Sequence, residues 1–134
     1  MTKDETTAIM AIIKAAYPQF YSKATNNDIQ QYVSIWAQSL EGDNTEFITA
    51  AVRVFIANDN SGFPPTIGQI RSEYMELIEM VKKQKEYGFT LNEWYGESHM
   101  RKFPPVVKKL LEKYTNDKNR VGTTSNIRLM EAVE

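Results

Sequence analysis

Three threonines in this 134-residue chain each stand three positions before a side chain that can complete a helix start. In such a capping box, each side chain accepts a hydrogen bond from the other residue's backbone N–H, which would otherwise lack a partner. Apolar residues at three- and four-residue steps follow each pair, as in a helix with one buried face. The sequence therefore predicts helices that begin at Thr2 with Glu5, Thr25 with Asp28, and Thr66 with Gln69.

Four apolar stripes predict four buried helix faces. The first helix ends at Tyr17, because the following proline disfavours helical geometry in the residue before it. The second ends at Gly42, the third begins near Asn44 and ends in the turn-forming residues 58–62, and the fourth is expected near 66–86. The stripes are Ile9, Ile12, Ile13, Ala16 and Phe20; Ile29, Val33, Trp36, Ala37 and Leu40; Phe47, Ile48, Ala51, Val52, Phe55 and Ile56; and Ile67, Ile70, Tyr74, Leu77, Ile78 and Val81.

The rest of the chain predicts shorter helices and a polar connection. Two short helices are expected, one within 90–100 and one over 104–114, and 115–125 has the polar, turn-rich composition of a linker. Nothing alternates with a two-residue period, so the predicted fold class is all-α. We divide the chain into a compact domain of about four helices (1–87), further short helices that are docked or semi-independent (88–115), and a linker with a partner-binding segment (116–134).

The tripeptide Phe-Pro-Pro occurs twice, at 63–65 and 103–105. The similarity stops upstream of the prolines, and a helical repeat protein would need at least three such units, so we interpret the two copies as independent helix starts. The first copy could open a DNA-reading helix. However, the exposed Gln69, Arg71 and Ser72 are followed by three acidic residues that would repel DNA, Glu73, Glu76 and Glu79.

Composition excludes several kinds of chemistry. The chain has no cysteine and a single histidine, His99, so thiolate or multi-histidine metal sites cannot form. It has no phosphate-binding loop, and the acidic run on the fourth helix is expected to be a solvated face, so we predict no enzyme activity and no cofactor. The N-terminus has charges of both signs and no long apolar stretch, so we expect a soluble protein of the bacterial cytoplasm.

The net charge of −1 conceals an uneven distribution. Residues 1–62 carry four basic and seven acidic side chains, whereas 63–134 carry twelve basic and ten acidic ones. The richest basic stretch is 101–120. It is either a solvated helix face, a nucleic-acid contact or a surface for an acidic protein. Its candidate interaction residues are Arg101, Lys102, Lys108, Lys109 and Lys113.

The order of motifs in residues 5–75 resembles one family. The first helix ends in AAYPQF (15–20), the second carries Trp36 in IWAQSL (35–40), and the third leads into AAVRVFIANDNSGFPPTIGQIRSEY (50–74). This order is similar to that of the small helicase loader and inhibitor proteins of phages that infect Gram-positive bacteria. The resemblance implies a replication accessory protein that binds the hexameric replicative helicase, holds it inactive and delivers it to an origin-binding initiator.

The resemblance also implies where the helicase binds. In the family a helical N-terminal domain is folded and the C-terminal part engages the helicase, a position that 125–134 occupies here. The contact residues implied are Ile127, Arg128, Leu129, Met130 and Val133. Extra helical signals at 90–114 leave open a helicase surface on the 101–114 helix, or a C-terminal segment docked on its own domain. The rival functions are a DNA-binding regulator that uses 101–120 and a phage assembly chaperone.

Overall fold

The computed structural model describes residues 1–116, and within them every regular element is a helix. The all-α prediction is therefore confirmed for this part of the chain. The helices are α1 Lys3–Ala16, α2 Asn26–Ser39, α3 Thr45–Asn58, α4 Ile67–Tyr87, α5 Leu91–Tyr95, α6 Glu97–Met100 and α7 Pro105–Asn116.

All three predicted capping boxes form. At α1 the Glu5 N–H donates to Thr2 Oγ1 at 3.1 Å, and the Thr2 N–H donates to Glu5 Oε1 at 2.8 Å. The same reciprocal pair opens α2 and α4. Helix α3 starts with Asn44, whose Oδ1 accepts from the Phe47 N–H at 3.2 Å. Local chemistry thus fixes where each of the four predicted helices begins.

Helix α3 is the centre of the core. It packs against α1, α4 and α7, while α2 packs against α1. Because α3 has neighbours on several sides, Ala50 and Val54 are buried in addition to the predicted stripe. Small and large side chains alternate on this helix, and its buried residues are Phe47, Ile48, Ala50, Ala51, Val52 and Val54.

Polar contacts join the turn between α2 and α3 to α4. Arg71 Nη2 lies 3.4 Å from Asp43 Oδ1, and the Asn44 N–H donates to the Tyr74 hydroxyl at 3.2 Å. Arg71 is the basic side chain that a DNA-reading helix would present here, but its charge faces a carboxylate of its own chain. The geometry favours a structural role for this helix start.

The expected burial of Ala16, Phe20 and Phe63 is wrong. Helix α1 ends at Ala16, which is exposed, and Phe20 lies beyond it with 59% of its surface exposed. Phe63 does not pack into the core beside α3, since it is 65% exposed and its ring contacts Phe20 instead. The proline directly before Thr66, Pro65, is the buried member of the first tripeptide. The other predicted core anchor, Trp36, is buried as expected.

The segment after α4 differs in detail from its prediction. The single helix expected within 90–100 is two helices, because Gly96 between them has a φ of 83°, which a helix cannot accommodate. Helix α7 begins at the second Phe-Pro-Pro as predicted, but it continues through residues 115 and 116, which the sequence pattern assigns to the linker. The remainder of that linker and the segment 125–134 lie outside the described residues.

The two copies of Phe-Pro-Pro have opposite environments, which gives a matched test of the core. Phe103 is 2% exposed, so we expect Phe103→Ala to lower the free energy of unfolding by about 3–5 kcal/mol. Phe63→Ala should cost less than about 1 kcal/mol, since the ring is largely in water already. Urea unfolding followed by circular dichroism measures both. Equal losses would contradict the packing described here.

Candidate partner-binding surfaces

The carboxylate of Asp59 organises the loop between α3 and α4. Its Oδ2 accepts from the Tyr17 hydroxyl at 2.7 Å, and its Oδ1 accepts from the backbone N–H and the hydroxyl of Ser61 at 2.9 and 2.6 Å. The hydrogen bonds from Ser61, and then that from Tyr17, lower the pKa of Asp59. Burial, together with the Asp59 charge, raises the pKa of Tyr17. The end of α1 is thereby held against the start of the first Phe-Pro-Pro motif.

This loop places an aromatic patch on the surface, formed by Phe20, Tyr21, Tyr32 and Phe63. The Phe20 ring meets the Phe63 ring edge to face at 6.3 Å between centroids, and Tyr21 makes similar contacts with Phe20 and Tyr32. Phe20 and Phe63 are both more than half exposed. Exposed aromatic side chains are enriched where proteins bind one another. The aromatic patch is therefore one candidate protein contact.

An apolar groove of about 490 Å³ runs between α3 and α7 and is called here the α3/α7 groove. Its ends show that the two helices are antiparallel. Lys113 Nζ lies 3.6 Å from Glu46 Oε1 at one end, and the Asn58 side chain donates to the Lys102 carbonyl near the other. The groove is lined by Thr45, Glu46, Thr49, Ala50 and Arg53 of α3 and by Val106, Val107, Lys109, Leu110 and Lys113 of α7.

The predicted basic residues do not form one continuous surface. Lys109 and Lys113 line the α3/α7 groove, whereas Lys108 lies on the other side of α7, where it lines a second pocket. Lys102 is turned inward to a carboxylate of α4, and Arg101 is exposed. The helical repeat of α7 therefore separates side chains that are adjacent in sequence.

A partly buried cluster of charges joins α4 to the segment before α7. The Glu76 carboxylate lies 2.8 Å from His99 Nε2 through one oxygen and 2.7 Å from Lys102 Nζ through the other. Glu73 lies one turn earlier, and its Oε2 is buried with no hydrogen-bond partner within the described chain. The fully solvated acidic face that we predicted for α4 is therefore wrong for Glu73 and Glu76, because α6 and the turn after it cover them.

The two carboxylates in this cluster have opposite pKa shifts. Burial raises the pKa of Glu73, and the neighbouring Glu76 charge adds to that rise. Burial also acts on Glu76, but the hydrogen bonds and charges of Lys102 and His99 outweigh it, so the pKa of Glu76 is lowered. Glu76 is thus stabilised as an anion by its contacts, whereas the ionised form of Glu73 is disfavoured.

Neither a metal centre nor a membrane span is found in residues 1–116. No three histidine or acidic side chains are grouped there so that they could hold a metal ion. No helix of this part of the chain combines the length and the apolar character needed to cross a bilayer. The candidate sites described above are therefore contact surfaces.

Comparison with known proteins places these features in a family. The model of the N-terminal domain of the phage SPP1 helicase loader, the product of gene 39, matches residues 1–71, which is more than half of the chain. The chain belongs to this family. The protein is therefore of the phage helicase loader type, and its partner is a replicative helicase. Searches of curated proteins and of solved structures gave no match.

The helicase-loader match covers only part of the described fold. It contains the Tyr17–Asp59 contact and the aromatic patch, and it ends inside α4. The α3/α7 groove uses α7, which lies beyond the match. Sequence analysis missed Arg53 and the aromatic patch, because each depends on segments that are distant along the chain. The predicted helicase-binding residues of the C-terminal segment lie outside the described residues.

The opposite shifts of Glu73 and Glu76 predict opposite effects of neutral replacements. Ionised Glu73 destabilises the folded loader, so its stability contribution is complete below the ordinary pKa of 4.5 and is lost as the pH rises through the raised value. Glu73→Gln should therefore raise Tm at about pH 7 and lose this effect near pH 4.

Glu76→Gln should do the reverse. Its contribution is present above 4.5 and is lost as the pH falls through the lowered pKa, so this variant should lower Tm at about pH 7 and approach the parent in acid. Thermal unfolding of both variants across this pH range measures the two signs. Shifts of the same sign in both would contradict the geometry of the cluster.

Proposed function

We propose that this protein is a phage or prophage replication accessory factor that binds the hexameric replicative helicase and holds it inactive. It then transfers the helicase to an origin-binding initiator, which releases it onto DNA. The work is done through protein–protein contacts, without a catalytic step and without a cofactor. The observation that carries the proposal is the family match over residues 1–71.

The structure of the matched region supports this assignment. The tyrosine-proline motif and the asparagine-rich turn, which suggested the family in sequence, meet through Tyr17 and Asp59. Their neighbours Phe20 and Phe63 form the exposed ring pair. The motif order therefore corresponds to one built corner of the fold. A scaffold of this kind, with exposed aromatic side chains, is suited to binding proteins.

We assign the principal helicase contact to the C-terminal segment 125–134. Its apolar residues, separated from α7 by a polar stretch, have the composition of a peptide that binds a groove in a partner. The residues proposed to make this contact are Ile127, Arg128, Leu129, Met130 and Val133. The basic residues of 101–113 are not required by this proposal.

The decisive experiment is co-elution with the hexameric helicase in size-exclusion chromatography, with and without ATP. The full chain should co-elute in at least one nucleotide state. Deletion of 125–134 should abolish co-elution while leaving the helical circular dichroism nearly unchanged. Phe63→Ala, an exposed aromatic far along the chain from this segment, is the matched control and should retain co-elution.

Each outcome has a distinct meaning for the proposal. Absence of co-elution of the full chain in both nucleotide states would overturn the loader function. If Phe63→Ala abolishes binding and the deletion does not, the helicase contact is the aromatic patch and the assignment to 125–134 is wrong. A cooperative loss of helicity on deletion would show that the segment belongs to the core.

The inhibitory part of the proposal predicts an effect on activity. Addition of the protein should suppress unwinding of a forked DNA by the helicase, and addition of the initiator should restore it. The rival DNA-binding function is tested by filter binding of labelled DNA at low salt. Affinity that falls steeply as salt is raised would support the rival, because released counterions would then drive binding.

A further inference from the structure

The α3/α7 groove combines an apolar floor with an unbalanced basic rim. Ala50 and Val107 are buried at its base, Leu110 is partly buried, and Val106 is 53% exposed at the edge. An exposed valine beside partly buried apolar side chains leaves apolar surface in water. A partner that covered it would gain the free energy of removing that surface from water.

The rim carries cations on both walls. Arg53 projects from α3 and Lys109 from α7, and neither has an ion-pair partner among the described residues. Lys113, at the far end, is balanced by Glu46. A ligand lying between the walls would therefore meet one unpaired positive charge on each side.

We propose that the α3/α7 groove binds an acidic amphipathic helix of a partner protein. The lining residues recur at three, four and seven positions on both helices, so the groove has the repeat of a third helix laid along it. From Val106 to Lys113 the wall is about 10 Å long, or two helical turns, at 1.5 Å per residue. The ligand helix carries an apolar stripe flanked on both sides by carboxylates.

This inference is independent of the proposed helicase contact through 125–134. The groove uses α7, which lies outside the family match, and it concerns a separate surface. Failure of the groove would leave co-elution with the helicase intact. Failure of co-elution would leave the groove and its charges unchanged.

The test uses the full chain and a designed helical peptide of about three turns, with leucines at helical spacing and glutamates on both flanks. A second peptide has lysines in place of the glutamates. Fluorescence anisotropy should show that the glutamate peptide binds more tightly. The double variant Arg53→Glu with Lys109→Glu should weaken it about tenfold or more and should favour the lysine peptide, because rim charges set the sign of the preference.

A matched control is available on the same helix. Lys108 lies on the opposite side of α7, so Lys108→Glu makes one of the same charge changes outside the groove and should leave the peptide affinity unaltered. Circular dichroism checks that each variant retains its helices. Val106→Asp should weaken both peptides, since it places a charge on the apolar edge.

Three results would overturn the proposal. The first is equal binding of the two peptides, or no binding of either. The second is displacement of the glutamate peptide by a synthetic 125–134 peptide at comparable concentration, which would assign the groove to the chain's own C-terminal segment. The third is tighter binding of a single-stranded oligonucleotide than of the glutamate peptide, with loss on Arg53→Glu, which would assign the groove to nucleic acid.

Discussion

The burial of α3 is the constraint on which the rest of the described fold depends. A helix that contacts α1, α4 and α7 cannot keep a wide polar face, and the sequence of α3 has polar side chains only at a few positions. Burial of its apolar residues stabilises the fold by removing surface from water on three sides. The other long helices need to bury only one stripe each, and their remaining faces are free to carry function.

Polar side chains in the connections then fix how the helices meet. Asp59 joins the end of α1 to the loop before α4, Asp43 joins the α2–α3 turn to Arg71, and Glu76 joins α4 to the segment before α7. Each carboxylate bridges parts of the chain that are far apart in sequence. Hydrophobic packing brings the helices together, and these contacts select one arrangement of the loops that carry the exposed aromatic side chains.

Local rules were sufficient to predict the helices but not the surfaces. Thr2, Thr25 and Thr66 cap helices as expected because a capping box involves only neighbours in sequence. The exposure of Phe63 could not be predicted, because it depends on the position of Phe20, more than forty residues earlier. The separation of Lys108 from Lys109 needed the direction in which α7 faces α3. The same limit hid Arg53, whose significance comes only from Lys109 opposite it.

The contact between Phe47 and Tyr114 has a consequence for the history of the family. These rings meet at 5.1 Å, so α7 shields a large side chain of α3, although α3 belongs to the matched region and α7 does not. Loss of α7 from such a chain would leave that aromatic side chain in water. Gain or loss of the extension should therefore be accompanied by substitution at Phe47 and Ala50, so that the two ends of the gene evolve as a coupled pair.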